Sequence, residues 1–262
     1  MKIMMLGDVY STPGRTLLTE HCAKLKEKYA ADFVIVNGEN ASGGHGLTRK
    51  NADELLSLPI DVITMGNHVW NQREIVDYIE DYPQIIRPAN YPDPCPGRGL
   101  GFFEKNGVRI AVLNLSGQVF MPEMGECPFN LIQKLYDDQI KDRADIFIVD
   151  FHAEATSEKL AMGYFLDGKA SIVVGTHTHV QTADAQILPG GTAYITDLGM
   201  TGAFGSVIGV EKDIIIRNML TKRPERFLAE KNKPWQINGI AADIDETTGR
   251  ARSIERIYEI IH

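Results

Sequence analysis

The segment IVVGTHTH, residues 172–179, combines an apolar β-branched run, a glycine and two histidines two positions apart. Apolar runs of about 4–8 residues that end at turn residues are typical of strands buried on both faces of a sheet. On extended backbone, residues i and i+2 point to the same side, so His177 and His179 are expected together at a strand end. Two imidazoles held there either repel each other when protonated or bind something positive.

Four further segments repeat this plan of a short apolar run followed by glycine or a polar residue. They are KIMMLGD (2–8), DFVIVNGEN (32–40), DVITMGNH (61–68) and ADIFIVDFH (144–152). Helical patterns separate the early runs, at residues 14–30, 49–58 and 72–80. Alternating strands and helices indicate an α/β core built on a parallel sheet.

The sequence after Thr192 changes to strand-like runs with little helix. These runs are residues 192–198, 209–220, 235–249 and 250–261. The segment DETTGR (245–250) predicts a hairpin turn in which Gly249 adopts a positive φ. One arrangement of these strands is a second sheet packed on the first. The proline-rich NYPDPCPGRG (90–99) is interpreted as an ordered loop, so residues 1–262 are expected to form a single domain.

Composition and charge argue against several classes of protein. The chain has 262 residues, 44% hydrophobic and 24% charged, which is typical of a folded soluble protein. A formal net charge of -8 disfavours stable binding of long nucleic acid. The three cysteines form no CxxC pair, and the apolar runs are far shorter than the roughly 18 residues of a membrane span. We therefore expect a cytoplasmic protein with reduced thiols and no membrane contact.

Polar residues with metal-binding chemistry follow the predicted strands. In open α/β sheets, ligands bind outside the carboxyl ends of the strands, so these side chains are expected in one crevice. They are Asp8, Glu39, Asn40, Asn67, His68, His152, His177 and His179. Imidazole, carboxylate and amide oxygen without thiolate suit Fe, Mn or Zn. Eight side chains are too many for one metal ion that must also keep a coordination position open for substrate. They suit two ions bridged by a carboxylate, with one histidine left free. Two ions about 3.5–4 Å apart are typical of phosphoester hydrolysis.

The order of these blocks, GD, GEN, GNH, H and GTHTH, resembles that of the calcineurin-like metallophosphoesterases, whose blocks are DxH, GD, GNH, H and GHxH. Two departures from that pattern are present. Val9 and Tyr10 follow Asp8, so the second ligand of a DxH block is missing, and Glu39 stands where a bridging Asp is expected. These departures, with GDVYSTPGR at 7–15, resemble the YmdB-like branch of bacterial phosphodiesterases over essentially the whole chain. The resemblance implies a two-sheet β-sandwich flanked by helices, in four layers α/β/β/α.

The resemblance also implies a role for each candidate residue. Glu39 would bridge two metal ions, a metal-bridging hydroxide would attack phosphorus, and His68 would protonate the leaving oxygen as general acid. One ion would take Asp8, Asn40 and His179, and the other Asn67, His152 and His177. Iron is the implied metal, with Mn or Zn as alternatives, and the implied substrates are 2′,3′- or 3′,5′-cyclic nucleotides. Under this hypothesis both histidines of the opening segment must be neutral to bind.

Three of these residues also have a purely structural interpretation. His152 taken alone could be a hydrogen-bonded strand-end residue, Asn67 a turn residue, and Asp8 a cap of the following helix. Five further residues are left unranked as neighbours of the site. They are His45 beside the substrate, Asp197 as a hydrogen-bond partner of a ligand histidine, and Arg15, Arg49 and Arg87 as phosphate contacts.

Two other functions compete with a metal-dependent phosphodiesterase. A serine ester hydrolase of the SGNH type also begins with a strand leading into Gly-Asp, but it needs serine directly after that Asp, where this chain has Val9. A non-catalytic regulatory protein could keep the same site for binding a metal or a nucleotide. The sequence leaves open the natural substrate, the metal, and whether the chain forms a homo-oligomer.

Overall fold

The five apolar runs that carry candidate ligands all form strands, as predicted. The computed structural model describes residues 1–122 and 125–262. Its strands are β1 (Lys2–Leu6), β2 (Asp8–Val9), β3 (Phe33–Asn37), β4 (Val62–Thr64), β5 (Ile85–Ile86), β6 (Leu100–Lys105), β7 (Val108–Ser116), β8 (Ile146–His152), β9 (Ile172–Thr176), β10 (Gln186–Ile187), β11 (Ala193–Ile195), β12 (Met200–Ala203), β13 (Trp235–Ile244) and β14 (Ala251–Ile261). Its α-helices are α1 (Ser11–Lys28), α2 (Arg49–Leu56), α3 (Ile75–Tyr78), α4 (Pro128–Leu135), α5 (Thr156–Phe165) and α6 (Lys212–Thr221). None of these described helices has the length and apolar content needed to cross a bilayer.

The strands form two mixed sheets. In the first, β1, β3, β4 and β5 run parallel, and β13 pairs antiparallel with β1 on one edge and with β14 on the other. The short β12 also pairs with β13, beside β1, and carries β2 as its parallel neighbour. In the second sheet, β7, β8, β9 and β11 run parallel, with β6 and β10 antiparallel at the two edges.

Both faces of each sheet are apolar because successive residues of the central strands alternate between two buried clusters. In β3, Val34 and Val36 pack with residues of α1 and α2, whereas Ile35 faces the second sheet. In β8, Ile148 faces the first sheet, whereas Val149 packs with residues of α4 and α5. The layers are therefore helix, sheet, sheet and helix, which confirms the expected fold class.

One segment that was predicted as a strand is a helix. Residues 209–220 contain three consecutive isoleucines, whose β-branched side chains favour a strand by propensity. In the structure this segment contains α6, in which Ile214 and Ile215 are buried while Ile216 is 50% exposed. Only one side of the segment meets the core, and a helix satisfies that one-sided burial. Tertiary packing here overrides local propensity.

Most strands of the second sheet precede the C-terminal tail. The sheet is built mainly from β6 to β9 and takes β11 from the tail, whereas β13 and β14 extend the first sheet. The hairpin between β6 and β7 turns at Asn106 and Gly107, with φ of 53° and 79°. Asn-Gly is the residue pair that such turns favour, and this signal was missed. The predicted turn between β13 and β14 is confirmed, with Gly249 at φ 69°.

The carboxylate of Asp150 ties together the strand ends that carry the candidate site. Asp150 lies in β8 and accepts hydrogen bonds from Asn37 at the end of β3 (3.1 Å) and from Thr64 at the end of β4 (2.5 Å). It also accepts one from Thr176 at the end of β9 (2.7 Å). Residues that follow these strands are thereby brought to one edge shared by both sheets.

Gly175 in β9 occupies a position that leaves no space for a side chain. A Cβ atom there would lie 1.9 Å from the carbonyl oxygen of Thr196 and 2.8 Å from Cδ of Lys159. We expect Gly175→Ala to lower the free energy of unfolding by about 1–3 kcal/mol, because overpacking must displace the backbone at Thr196. Urea unfolding in the presence of a chelator measures this change without any contribution from bound metal.

The matched control for this prediction is Gly205→Ala. Nothing lies within 4 Å of the Cβ position at Gly205. Its free energy of unfolding should stay within about 0.5 kcal/mol of the unsubstituted protein. Equal stability of the two variants would contradict the packing described at Gly175.

Candidate metal centre

The predicted ligands meet in one crevice between the two sheets. Asp8 lies in β2, His152 ends β8, and the other residues lie in the loops that follow β3, β4 and β9. Asp8, Glu39 and His152 are fully buried, and Asn40 is 1% exposed. The His68 side chain is 27% exposed, so it lies at the border between this buried group and solvent.

His152 is the centre of a first group of ligand atoms. Its Nε2 atom is 3.0 Å from Asn67 Oδ1, 3.1 Å from His177 Nδ1 and 3.2 Å from Glu39 Oε1. The carboxylate and imidazole atoms of Glu39, His152 and His177 all lie within 4.8 Å of one another. These four side chains come from both sheets.

Hydrogen bonds on the far side of each ring set which nitrogen faces this group. The Thr176 hydroxyl donates its hydrogen to Asp150, so the Thr176 oxygen accepts a hydrogen bond from Nδ1 of His152 at 2.8 Å. Because the hydrogen of the neutral ring is then on Nδ1, Nε2 has no hydrogen and is an acceptor. Nε2 of His177 lies 3.2 Å from the Glu154 carboxylate, which favours a hydrogen on that nitrogen and leaves Nδ1 bare. Partners of this kind are typical of metal-binding histidines.

These atoms fit a metal ion. With neutral rings, four acceptors face one another without a hydrogen between them, which is unfavourable unless a cation lies among them. Two ligands bound about 2.1 Å from one ion at right-angle to tetrahedral geometry are about 3.0–3.4 Å apart. The observed separations from His152 Nε2 are 3.0–3.2 Å. The donor types suit Fe, Mn or Zn.

Asp8, Asn40 and His179 form a second group beside Glu39. The Asn40 Nδ2 atom lies 2.9 Å from Glu39 Oε1, 3.0 Å from His179 Nε2 and 3.4 Å from Asp8 Oδ1. His179 Nδ1 donates to the Ile208 carbonyl at 2.8 Å, so Nε2 is its acceptor atom. Three acceptors therefore surround one amide nitrogen that has two hydrogens. A half-turn of the amide would place Asn40 Oδ1 there instead, and the resulting set of oxygen and nitrogen donors suits a second ion that shares Glu39.

The backbone at His177 and His179 is not extended, contrary to the assumption made from the sequence. β9 ends at Thr176, and the two histidines have φ of 98° and 67°, values that are uncommon for residues other than glycine. Thr178 between them is fixed by the Asp197 carboxylate, which accepts from its amide (3.2 Å) and its hydroxyl (2.7 Å). The buried Lys159 pairs with the same carboxylate at 2.6 Å. Asp197 thus fixes the turn between the two histidines. This corrects the expectation that it would be a hydrogen-bond partner of a ligand histidine ring.

Burial and mutual charge shift the pKa values of this group in different directions. Burial opposes ionisation of Glu39, but the adjacent His152 and His68 outweigh it and hold the Glu39 pKa well below its usual range. Burial likewise opposes protonation of His152, but Glu39, Asp8 and Asp150 raise its pKa to about 9. Burial, with repulsion from His152, lowers the pKa of His177 to about 3. A proton on His152 therefore supplies the positive charge that these acceptors require in the absence of a metal.

His68 lies between the ligand group and an adjoining cavity of about 540 Å³. Its Nδ1 atom is 2.8 Å from Asn40 Oδ1 and 3.2 Å from Glu39 Oε1. The ring of His45 packs edge-on against it, with ring centroids 4.8 Å apart. His45 also lines the cavity.

The three arginines considered as phosphate contacts are bound elsewhere. Arg15 binds the Glu54 carboxylate at 2.9 Å, and Arg49 binds the Asp81 carboxylate at 3.0 Å. Arg87 is buried and donates to three carbonyls of residues 88–96. The described residues that line the cavity include none of the three.

Four supporting residues were missed by reasoning from the sequence. They are Asp150, Glu154, Lys159 and Thr176. Asp150 precedes His152 by two positions on a strand, so the period of two could have placed it on the same face. Lys159, in helix α5, gave no such signal, because its role depends on a contact with Asp197 in a loop distant in sequence.

Two mixed sheets flanked by helices, with carboxylate and histidine donors at shared strand ends, define a metallophosphoesterase-like protein. The chain belongs to the YmdB-like protein family, which matches residues 4–257. The family match includes all eight candidate residues, and it confirms the resemblance drawn from the sequence motifs.

Individual relatives extend this similarity to nearly the whole chain. A 2′,3′-cyclic-nucleotide 2′-phosphodiesterase of Bacillus subtilis (strain 168) is 49% identical over 257 residues, covering 98% of this chain and 96% of that protein. The crystal structure of a novel phosphatase from Mycoplasma pneumoniae has a TM-score of 0.92 at 38% identity, covering 99% of this chain and 93% of that one. A hypothetical protein from Thermus thermophilus also has a TM-score of 0.92, at 36% identity and with complete coverage of both chains.

Metal binding at the His152 group should release a proton. In the metal-free protein the His152 pKa of about 9 keeps that ring protonated at pH 7.5, whereas His177, with a pKa of about 3, is already neutral. A metal ligand must be neutral, so binding of Mn²⁺ should release about one proton per chain from His152. Affinity should fall as pH is lowered, because more work is needed to remove that proton.

Isothermal titration calorimetry in buffers of different ionisation enthalpy measures the number of protons released. The expected result is a binding enthalpy that changes with buffer by about one buffer ionisation enthalpy. Binding enthalpies that are independent of the buffer at pH 7.5 would contradict the assignment of His152 as a ligand.

Proposed function

We propose that this protein is a metal-dependent phosphodiesterase that hydrolyses 2′,3′-cyclic nucleotides. The observation that carries the proposal is the convergence of Asn67 Oδ1, His177 Nδ1 and Glu39 Oε1 on His152 Nε2, at 3.0–3.2 Å. The B. subtilis relative, 49% identical over 98% of this chain, supports the class of substrate. We also propose that residues 1–262 act as one domain, because both sheets supply the site.

Two ions would be held by the two groups described above, with Glu39 shared between them. Glu39, Asn67, His152 and His177 would hold one ion. The other would be held by Asp8, Glu39, Asn40 and His179. Iron is the preferred metal, with Mn or Zn as alternatives that the same donors accept. When bound, the pair of ions neutralises charge on the phosphoryl oxygens and makes water a nucleophile at neutral pH.

His68 would donate the proton that the departing ribose oxygen requires. When both ring nitrogens carry hydrogen, Nδ1 donates to Asn40 Oδ1 and Nε2 is available to the cavity. The doubly protonated ring is the general acid, because loss of its Nε2 proton leaves a neutral imidazole. When the Asn40 amide makes the half-turn that metal binding favours, Glu39 Oε1, 3.2 Å from His68 Nδ1, remains as the acceptor for the Nδ1 hydrogen.

The serine hydrolase alternative lacks a nucleophile at the required place. Ser11, three positions after Asp8, begins α1 and is 4% exposed. A serine buried at a helix start cannot reach a substrate in the cavity. The regulatory alternative makes a different prediction, since it requires binding without turnover.

We expect His68→Ala to lower kcat for 2′,3′-cyclic AMP by about 10²–10⁴-fold, because the poor ribose leaving group depends on protonation. The metal content, measured by elemental mass spectrometry, should remain near that of the unsubstituted protein. Hydrolysis of bis(p-nitrophenyl) phosphate should decrease much less, since p-nitrophenolate leaves without protonation. His21→Ala, in helix α1 and outside the lining of the cavity, is the matched control and should change neither rate.

Three outcomes would contradict parts of this assignment. Loss of metal from His68→Ala would place His68 among the ligands. Equal losses of rate on the two substrates would remove its role as general acid. Absence of turnover by the metal-loaded, unsubstituted protein would favour the regulatory alternative.

A further inference from the structure

The cavity beside the metal centre has two walls of different chemistry. One wall carries ligand atoms of Glu39, Asn40, His177 and His179. A second part of the lining is apolar and is called the apolar wall below. It consists of Val207, Ile208, Val210, Ile215, Met219 and Phe227. A volume of about 540 Å³ is within the range of small-molecule sites and leaves space beyond a phosphate group.

The charges around the cavity disfavour a second anionic group in that space. The described lining residues include no lysine or arginine, and they include the carboxylates of Glu39 and Glu154. A ligand that places one phosphate at the metal centre must therefore fill the remaining space with a neutral group. Its contact with the apolar wall also requires that group to have an apolar face.

The apolar wall is preformed. Val210 and Ile215 are buried in a cluster with Tyr10 and Met200, which supports the wall from behind. The chain that follows Phe227 is fixed on both sides of Ala229 by two backbone hydrogen bonds, from the Glu211 amide to the Leu228 carbonyl and from the Glu230 amide to the Gly209 carbonyl, each 2.9 Å long. In front, Met219 is 63% and Phe227 is 53% exposed. Exposed apolar side chains next to a polar centre are typical of a ligand contact.

Few hydrogen-bonding groups on this wall could recognise the edge of a nucleobase. Asn218 is its polar neighbour among the described lining residues, and its Nδ2 atom already donates to the Arg223 carbonyl at 2.7 Å. Contact through the face of a planar ring does not depend on the pattern of donors and acceptors at its edge. The wall should therefore discriminate weakly among bases.

We propose that Met219 and Phe227 bind the nucleobase of the substrate through its face, with little discrimination among the four bases. This inference rests on the proposed function, since it assumes a nucleotide whose phosphate lies at the metal centre. It adds the residues that determine why a nucleoside cyclic phosphate is preferred over a cyclic phosphate without a base.

The test compares 2′,3′-cyclic AMP with glycerol 1,2-cyclic phosphate, which has the same five-membered phosphate ring but no base. Phe227→Ala should raise KM for 2′,3′-cyclic AMP about tenfold and leave KM for glycerol 1,2-cyclic phosphate unchanged. The unsubstituted enzyme should show KM values within about threefold for the cyclic phosphates of adenosine, guanosine, cytidine and uridine. Ile216→Ala is the matched control, because Ile216 lies on the same helix and is 50% exposed but does not line the cavity.

Equal changes of KM on both substrates in Phe227→Ala, or no change on either, would overturn the proposal. So would an equal effect of Ile216→Ala, which would indicate an interface between copies or a general loosening of α6. A readout without turnover separates this inference from the proposed function. Calorimetry on the Mn²⁺-loaded protein should show at least tenfold tighter binding of adenosine 3′-phosphate than of inorganic phosphate, and Phe227→Ala should remove that preference. If the protein fails to hydrolyse 2′,3′-cyclic AMP but still binds adenosine 3′-phosphate more tightly than inorganic phosphate, the proposed function is refuted and the proposed base contact is not.

Discussion

The convergence of three acceptor atoms on His152 Nε2 is the constraint on which the site depends. Asn67, His177 and Glu39 each direct an oxygen or nitrogen lone pair to within 3.2 Å of that atom. Positive charge at its centre stabilises such an arrangement inside a protein, and among the described residues a proton on His152 provides that charge. A transition metal ion satisfies Nε2 and its three neighbours at once, which a single proton cannot do. The same requirement explains why a buried glutamate remains ionised.

The surrounding fold keeps these acceptors in place against their mutual repulsion. Asp150 binds the ends of β3, β4 and β9 to β8, and the buried pair of Lys159 and Asp197 holds the turn between His177 and His179. Removing one member of a buried ion pair typically costs about 3–5 kcal/mol, since the remaining charge is left uncompensated. The unusual positive φ of both histidines is therefore maintained by strong buried interactions, as expected for strained residues at a functional site.

Much of the fold and most of the site could be predicted because both depend on local patterns. Strands buried on two faces appear as continuous apolar runs, and the residues that follow them lie at a shared edge, which places Asp8, Glu39 and His152. Prediction failed where long-range packing decides the outcome. The isoleucines of α6 favour a strand until the core is known to touch only one side of that segment. Lys159 and Asp197 meet only after helix α5 packs beside the loop between β11 and β12, so no spacing in the sequence indicates their contact.

Anomalous X-ray diffraction from crystals grown with Mn²⁺, with data collected on both sides of the manganese absorption edge, would locate metal ions bound among these side chains. Two anomalous peaks per chain are expected. One should lie among Glu39, Asn67, His152 and His177, and the other among Asp8, Glu39, Asn40 and His179. Crystals of Glu39→Ala should show both peaks weakened or lost. Absence of peaks between these side chains, or full occupancy of both positions without Glu39, would contradict a pair of ions that share Glu39.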